Sequence, residues 1–351
     1  MKFIFFSFLV IFLSSCIFDD SPIVSWNEEE HRQNIILESA NHLAFPDLIK
    51  YKDSWYVVYR ESDAHVNGSF SKINVLKSND FVNWFECNTY EKKGWDLRDP
   101  KFSLNDKNDH LYLHIHAANE AGTNDLKYAT IRENYYIKFD RRYNRFEEFE
   151  TKKLINHKGY FNYWLWRPYW FENNLYVSGY LGMNNIFYKY NSIDSNPVII
   201  NRIEGYNFGE TTFRVYNNRL YFLSRRINDT VFGSLTIDMD SINKITEPTI
   251  VSKEVEIFQI GQLGGPNMVI CDSIVYIGGR SRIKDIDRTA IYKYSLINKK
   301  IELLYTLESY GDNSYPGMYL IDNIIYGVYY TQNKNFNGFE IRSFKIAVNG
   351  I

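Results

Sequence analysis

The sequence predicts an all-β fold: a six-bladed β-propeller of four-stranded antiparallel blades. Three observations predict it. First, no long stretch carries helical periodicity; short aromatic and β-branched runs alternate with clusters of Asn, Asp, Lys and Gly. Second, one hairpin unit recurs along the chain at roughly 45–65 residues, the period range of propeller blades. Third, five of the six units carry a proline at the same place, where the first residues of a strand need not donate to the ladder. A β-sandwich would not repeat one motif in register six times.

Each unit opens on a strand, turns, and returns. Blade one opens Phe45-Pro46-Asp47-Leu48-Ile49, turns at Lys52-Asp53-Ser54 and returns from Trp55 to Arg60. Blade two opens Asp99-Pro100-Lys101-Phe102 and returns from Leu111 to His114. Blade three opens Arg167-Pro168-Tyr169-Trp170-Phe171 and returns from Leu175 to Gly179. Blade four opens Thr211-Thr212-Phe213-Arg214-Val215 without proline and returns from Leu220 to Arg225. Blade five opens Gly265-Pro266-Asn267-Met268-Val269 and returns from Val275 to Arg280. Blade six opens Tyr315-Pro316-Gly317-Met318-Tyr319 and returns from Ile325 to Tyr330. Two more strand-like runs follow each hairpin, as in Ile73–Leu76 with Trp84–Cys87.

Outside the repeats, residues 1–16 read MKFIFFSFLVIFLSSC. One lysine, an apolar run too short to span a bilayer, and small residues before a cysteine fit a secretory signal. Leu13-Ser14-Ser15-Cys16 resembles a bacterial lipobox, which implies lipidation of Cys16 and an outer-membrane lipoprotein; the acidic Ile17-Phe18-Asp19-Asp20 after it resembles a surface-export signal of Bacteroidota lipoproteins, which implies the cell surface, with the periplasmic face as the alternative. The expected organisation is a signal at 1–16, a linker at 17–40 and the propeller at 41–351. The remaining Cys87 and Cys271 fall in distant repeats, so two buried thiols are expected rather than a disulfide. The 351 residues are 45% hydrophobic, enough for a large core, and a formal charge of -2 leaves no cationic excess for nucleic acid.

In a propeller, the start of each first strand and the end of each second strand share one mouth. That gathers Arg60, Arg98, Asp99, His116, Arg167, Glu210, Arg225, Arg280, Tyr315 and Tyr330. Guanidinium forks grip carboxylate, sulfate or phosphate at two points. With few acids expected at this face, the set points to an anionic ligand, and Trp166 is a candidate for stacking on a sugar ring. The opposite mouth receives short Asn/Asp turns. His110, His114 and His116 alternate on one strand, where core and rim positions are commoner than a metal site. Neither a metal nor a cofactor is expected.

The blocks Ala44-Phe45-Pro46-Asp47-Leu48, Tyr59-Arg60-Glu61, Asp96-Leu97-Arg98-Asp99, Trp164-Leu165-Trp166-Arg167, Gly209-Glu210-Thr211, Gly264-Gly265-Pro266 and Ser314-Tyr315-Pro316-Gly317 together resemble the BNR-type sialidase superfamily over nearly the whole mature chain. Ser78-Asn79-Asp80-Phe81-Val82-Asn83-Trp84 resembles a degenerate Asp-box turn. The resemblance implies a tyrosine nucleophile with a glutamate base, because a carboxylate nucleophile would be repelled by the sugar's own carboxylate. It maps the base, two clamp arginines and nucleophile onto Glu210, Arg225, Arg280 and Tyr315. The first clamp arginine is missing, since its place reads Ala44, and Arg60 is the expected substitute. The acid falls in Arg60-Glu61-Ser62-Asp63-Ala64-His65, where Asp63 and His65 both stay open. These residues imply a glycoside hydrolase acting on a sialic-acid-like or uronate-like terminal sugar. Three alternatives remain: a glycan-binding propeller without catalysis, a polysaccharide lyase, and an arabinanase-type site built on Asp47, Asp99 and Glu210.

Overall fold

The computed structural model describes residues 33–66, 68–119, 131–149, 153–154, 163–181, 184–203, 209–237 and 250–348. They form six four-stranded antiparallel sheets. Blade one holds β2 (His42–Tyr51), β3 (Ser54–Ser62), β4 (Ser71–Ser78) and β5 (Phe85–Glu91). Blade two holds β6 (Asp96–Asn105), β7 (His110–Asn119), β8 (Ile131–Asp140) and β9 (Arg145–Phe146). Blade three holds β10 (Trp164–Phe171), β11 (Asn174–Leu181), β12 (Asn184–Tyr190) and β13 (Val198–Ile203). Blade four holds β14 (Thr211–Tyr216), β15 (Arg219–Arg225), β16 (Thr230–Ile237) and β17 (Ile250–Phe258). Blade five holds β18 (Gly264–Cys271), β19 (Ile274–Ile283), β20 (Ile286–Ser295) and β21 (Ile301–Thr306). Blade six holds β22 (Tyr310–Ile321), β23 (Ile324–Gln332), β24 (Phe339–Ala347) and, on its outer edge, β1 (Gln33–Ser39).

That last strand revises the expected linker. Residues 33–39 pair antiparallel with β24, from Gln33 opposite Phe344 to Ser39 opposite Phe339. The Gln33 side chain also accepts from the Tyr329 hydroxyl at 2.8 Å. Two strands were expected after every hairpin, but only β24 follows that of blade six, which leaves the blade one strand short within its own repeat. Closing the ring with a strand from the other end of the chain supplies it and pairs an otherwise open sheet edge. Residues 1–32, with the signal and Cys16, lie outside the described residues.

Local chemistry builds each hairpin. Asn217 and Asn218, like Asp322 and Asn323, hold positive φ at both central positions, the geometry of a two-residue turn matched to strand twist. In the Ser78–Trp84 turn, Asp80 Oδ1 accepts from the backbone N–H of Val82 and Asn83 at 2.9 and 2.8 Å, and Phe81 N donates to Ser78 Oγ at 2.9 Å. Apolar clusters fill the seams between blades. Tyr56, Val58 and Ile73 meet Leu111, Leu113 and Ile137 between blades one and two. Phe187 and Phe213 meet edge to face, 4.8 Å between centroids, between blades three and four. Cys87 and Cys271 are free and half-buried.

Candidate functional site

The proline register does more than punctuate the repeat. In all five proline-bearing blades the residue before proline has positive φ: Phe45 (58°), Asp99 (44°), Arg167 (41°), Gly265 (61°) and Tyr315 (54°). The ladder shifts at each of these points, between Ala44 and Asp47, Arg98 and Lys101, Trp166 and Tyr169, Gly264 and Asn267, and Ser314 and Gly317. Proline removes a donor and forces the preceding residue out of the ordinary helical region. The bulge then re-aims that residue's side chain. One device thus re-aims four side chains, those of Phe45, Asp99, Arg167 and Tyr315, at the same register of the ring, with Gly265 at the fifth position. Such strain, about 1–3 kcal/mol per non-glycine residue, gathers at functional sites. The cross-strand partners place the ends of the second strands beside this ring: Ala44 faces Arg60, Gly264 faces Arg280, and Ser314 faces Tyr330.

Tyr315 of blade six and Glu210, at the start of blade four, meet across the intervening blade five. The Tyr315 hydroxyl donates to Glu210 Oε1. Glu210 Oε2 accepts from Gly265 N at 2.8 Å and lies 3.3 Å from Arg225 Nη1. Both residues are buried, at 7% and 5% exposure. Gly265 is required twice, for its φ and because a Cβ there would sit 2.6 Å from the Tyr315 ring. Phe45 and Trp166 brace the ring edge-on, with centroids 4.8 and 5.6 Å away. Burial first, then the Glu210 and Asp99 charges, push the Tyr315 phenol well above its ordinary pKa, so it rests protonated. Asp99, on the same ring, has its carboxyl pushed up to about 6, mainly by burial, against the pull of Lys101 and with a push from Glu210.

The arginines are not left facing a ligand as a set. Arg60 is wholly buried; Nε and Nη2 donate to Asp96 Oδ1 at 3.1 and 2.8 Å, and Nη1 donates to Ala64 O. It therefore does not stand in for the missing clamp. Arg98 Nε donates to the other Asp96 oxygen at 2.6 Å, and its guanidinium lies over Trp164. Arg167 is 4% exposed and paired with Asp47 at 2.6 Å. Arg225 and Arg280 remain partly open, with side chains 29% and 24% exposed. The expectation of too few acids fails because Asp47, Asp96 and Asp312 arrive from elsewhere in the ring. Trp166 is also fully buried, so it offers no face to a sugar. His114 and His116 are core residues, bonded to Ser103 and Asn134.

Asp312 was not foreseen and organises one side of the mouth. Its Oδ1 accepts from the Tyr330 hydroxyl at 2.8 Å and Arg280 Nη1 at 3.1 Å. Its Oδ2 lies 3.0 Å from His42 Nε2 and 2.7 Å from His65 Nδ1. Burial works to raise the Asp312 pKa, but the bonds from His42, His65 and Tyr330 outweigh it and hold it below the ordinary carboxylate value. Tyr330, expected to touch substrate, is fully buried and serves Asp312 instead. Of the two candidate acids, Asp63 turns back on its own loop, accepting from Ser69 N at 2.8 Å and from Ser69 Oγ. His65 joins the Asp312 group. The inner strand of blade six begins at Tyr310, ahead of the proline block, which is why the repeat frame passed over Asp312.

The opposite mouth is not featureless. A cavity of about 350 Å³ opens there, lined among others by Asp47, Arg167, Arg214, Tyr169 and Trp170.

No protein-family model matches the sequence, and no curated protein matches it. Solved structures do. The chain is similar to the Hadza microbial sialidase Hz136, with a TM-score of 0.62, 11% identity, and coverage of 87% of this chain and 65% of that one. It is similar to Trypanosoma rangeli sialidase, described in complex with 2,3-difluoro-KDN, with a TM-score of 0.60, 10% identity, and coverage of 87% and 54%. It is also similar to a leech intramolecular trans-sialidase complexed with 2,7-anhydro-Neu5Ac, with a TM-score of 0.58, 10% identity, and coverage of 88% and 68%. The chain thus spans less than two thirds of the Hadza and trypanosomal chains. What is shared at this identity is the fold: the chain is a sialidase-like six-bladed β-propeller.

Proposed function

We propose that the protein is a retaining glycoside hydrolase that removes an anionic terminal sugar from glycans, with Tyr315 as nucleophile and Glu210 as its base. One observation carries this reading: a buried tyrosine whose hydroxyl donates to a buried glutamate, itself held by Gly265 N and Arg225. Glu210 accepts the phenol proton as the phenol oxygen attacks the anomeric carbon, giving a glycosyl–tyrosine. The leaving oxygen must be protonated in the same step. Asp99 supplies that proton: of two carboxyl groups in one site, burial lets one keep its proton up to about pH 6 while the other is held by donors, which divides acid from base. Water then attacks the anomeric carbon, its proton passing to Asp99, and Tyr315 recovers its proton from Glu210. Arg225 and Arg280, the part-exposed cations, hold the sugar's negative group. The signal-like residues 1–16 support the further reading that the enzyme is tethered by lipidated Cys16 at the outer membrane and works on glycans outside the cell.

The test is turnover of a panel of fluorogenic sialosides and uronides by the native chain, Tyr315→Phe and Glu210→Gln. Both variants are expected to lose on the order of 10³-fold in kcat with little change in KM, the size of a lost nucleophile or base. Full turnover by Tyr315→Phe would overturn the reading.

A further inference from the structure

Where sialidase-like propellers are expected to carry the first clamp arginine, this chain has Ala44, and the pocket wall there is rebuilt. His42 lies two residues before Ala44 on β2, so the two side chains share a face of the strand. Around it, His42 Nε2, His65 Nδ1 and Asp312 Oδ2 converge. The pairs are 3.0 Å (His42 to Asp312), 2.7 Å (His65 to Asp312) and 3.3 Å (His42 to His65) apart. The three come from β2, the β3–β4 loop and β22.

We infer that His42, His65 and Asp312 hold one divalent transition-metal ion, zinc by ligand chemistry, and that this ion takes the place of the missing clamp arginine by binding the sugar's carboxylate. The second half of the inference rests on the anionic-sugar reading above; the first half does not.

The ligand set is two imidazoles and one carboxylate, the composition of zinc sites that keep a fourth position open for water or substrate. Ligand atoms about 2.0–2.1 Å from a tetrahedral zinc lie about 3.3 Å from each other. The His42–His65 separation is already at that value, and the other two reach it by opening about 0.3 and 0.6 Å. The carboxylate is already oriented for the task. Tyr330 and Arg280 occupy Asp312 Oδ1 and leave Oδ2 to the two histidines. Such outer hydrogen bonds are the usual support of a metal-binding carboxylate. The His42 ring is fixed among Phe339, Tyr330 and Phe45, with centroids 4.4, 6.0 and 6.3 Å away. The open side faces the mouth, because the His65 side chain is 45% exposed and that of Asp312 25%. Hydrogen bonding alone would aim two ring N–H groups at one oxygen; a cation instead uses all three atoms at once. Charge completes the argument. A dication offset by one carboxylate, beside Arg280, leaves a net positive wall for an anionic sugar.

The experiment uses the full chain stripped of metal with chelator and titrated with Co²⁺, read by its visible absorption, then with Zn²⁺ in competition. One equivalent of Co²⁺ with the intense bands of a four-coordinate site is expected, displaced by one equivalent of Zn²⁺. His65→Ala, at an exposed position, should weaken binding about 100-fold or more, given that even supporting residues of metal sites are worth 10–100-fold. Asp312→Asn should do the same, and His110→Ala should change nothing. N-acetylneuraminate or glucuronate should shift the Co²⁺ bands, and their methyl esters should not. Absence of one-equivalent binding, or binding indifferent to His65→Ala, overturns the metal site and leaves the Tyr315 and Glu210 test untouched. Bands that form but ignore both sugar acids overturn the carboxylate role.

Discussion

Replacing Gly265 by alanine probes how the nucleophile is held, and its cost can be worked from two separate terms. At φ +61° an L-residue pays about 1–2 kcal/mol for the left-handed backbone. The new Cβ would also lie 2.6 Å from Cγ and Cδ2 of Tyr315 and 2.9 Å from its Cα. Carbon atoms rest at about 3.5–4.0 Å, so the ring must retreat by about 1 Å. Overpacking of that kind costs about 1–3 kcal/mol more. Gly94 separates the terms: its φ is +76°, yet a Cβ there meets nothing within 4 Å. Chemical denaturation should show Gly94→Ala losing only the backbone term and Gly265→Ala losing both, ~2–5 kcal/mol in total. Adding Gly265→Ala to a Tyr315→Ala chain should cost less than adding it to the native chain, since the ring contacts have gone and only the 2.9 Å approach to the Tyr315 Cα position remains. In the active chain, a displacement of that size predicts a roughly 10²-fold loss of rate. Equal losses at the two glycines, or no coupling to Tyr315→Ala, would refute the claim that Gly265 sets the position of the nucleophile.

Asp99 gives a pH signature. Its carboxyl is pushed up to about 6, by burial first, whereas an unfolded aspartate titrates near ~3.9. Between about pH 4 and 6 the unfolded chain releases a proton that the folded chain keeps, so folding stability falls as pH rises. Asp99→Asn should remove this slope: its stability relative to the native chain should climb from pH 4 to 6 and level off above. A difference that stays flat across parallel urea titrations would rule out the raised carboxyl. Arg60 tests the corrected clamp. Arg60→Met removes a buried guanidinium from the buried Asp96 carboxylate and should cost about 3 kcal/mol of stability. KM for the fluorogenic glycosides should stay unchanged; weaker binding at unchanged stability would restore Arg60 to the pocket.

Much of the fold was legible because a blade is local. Its strands follow one another through short hairpins, so the repeat length, the turn residues and the proline register all appear in the linear order. The face shared by Arg225, Arg280 and Tyr315 follows from strand direction alone. The closing strand Gln33–Ser39 was not legible, because it pairs with β24 from the far end of the chain and carries no proline block.

Side-chain partners were the other blind spot. Sequence placed Glu210 and Tyr315 at one mouth; the bulges and ring closure joined them across 105 residues. Sequence counted arginines at the rim, but Arg167 finds Asp47 120 residues away, and Arg60 finds Asp96 36 residues on. His42 and Asp312, 270 residues apart, meet only because blade six closes against blade one. The sequence by itself determined the architecture and which residues face the same mouth, since both depend on short-range periodicity and strand polarity. The tertiary structure decided which charges are neutralised, which remain open, and what stands where the clamp arginine is missing. Those outcomes depend on distances between blades that a linear spacing does not encode.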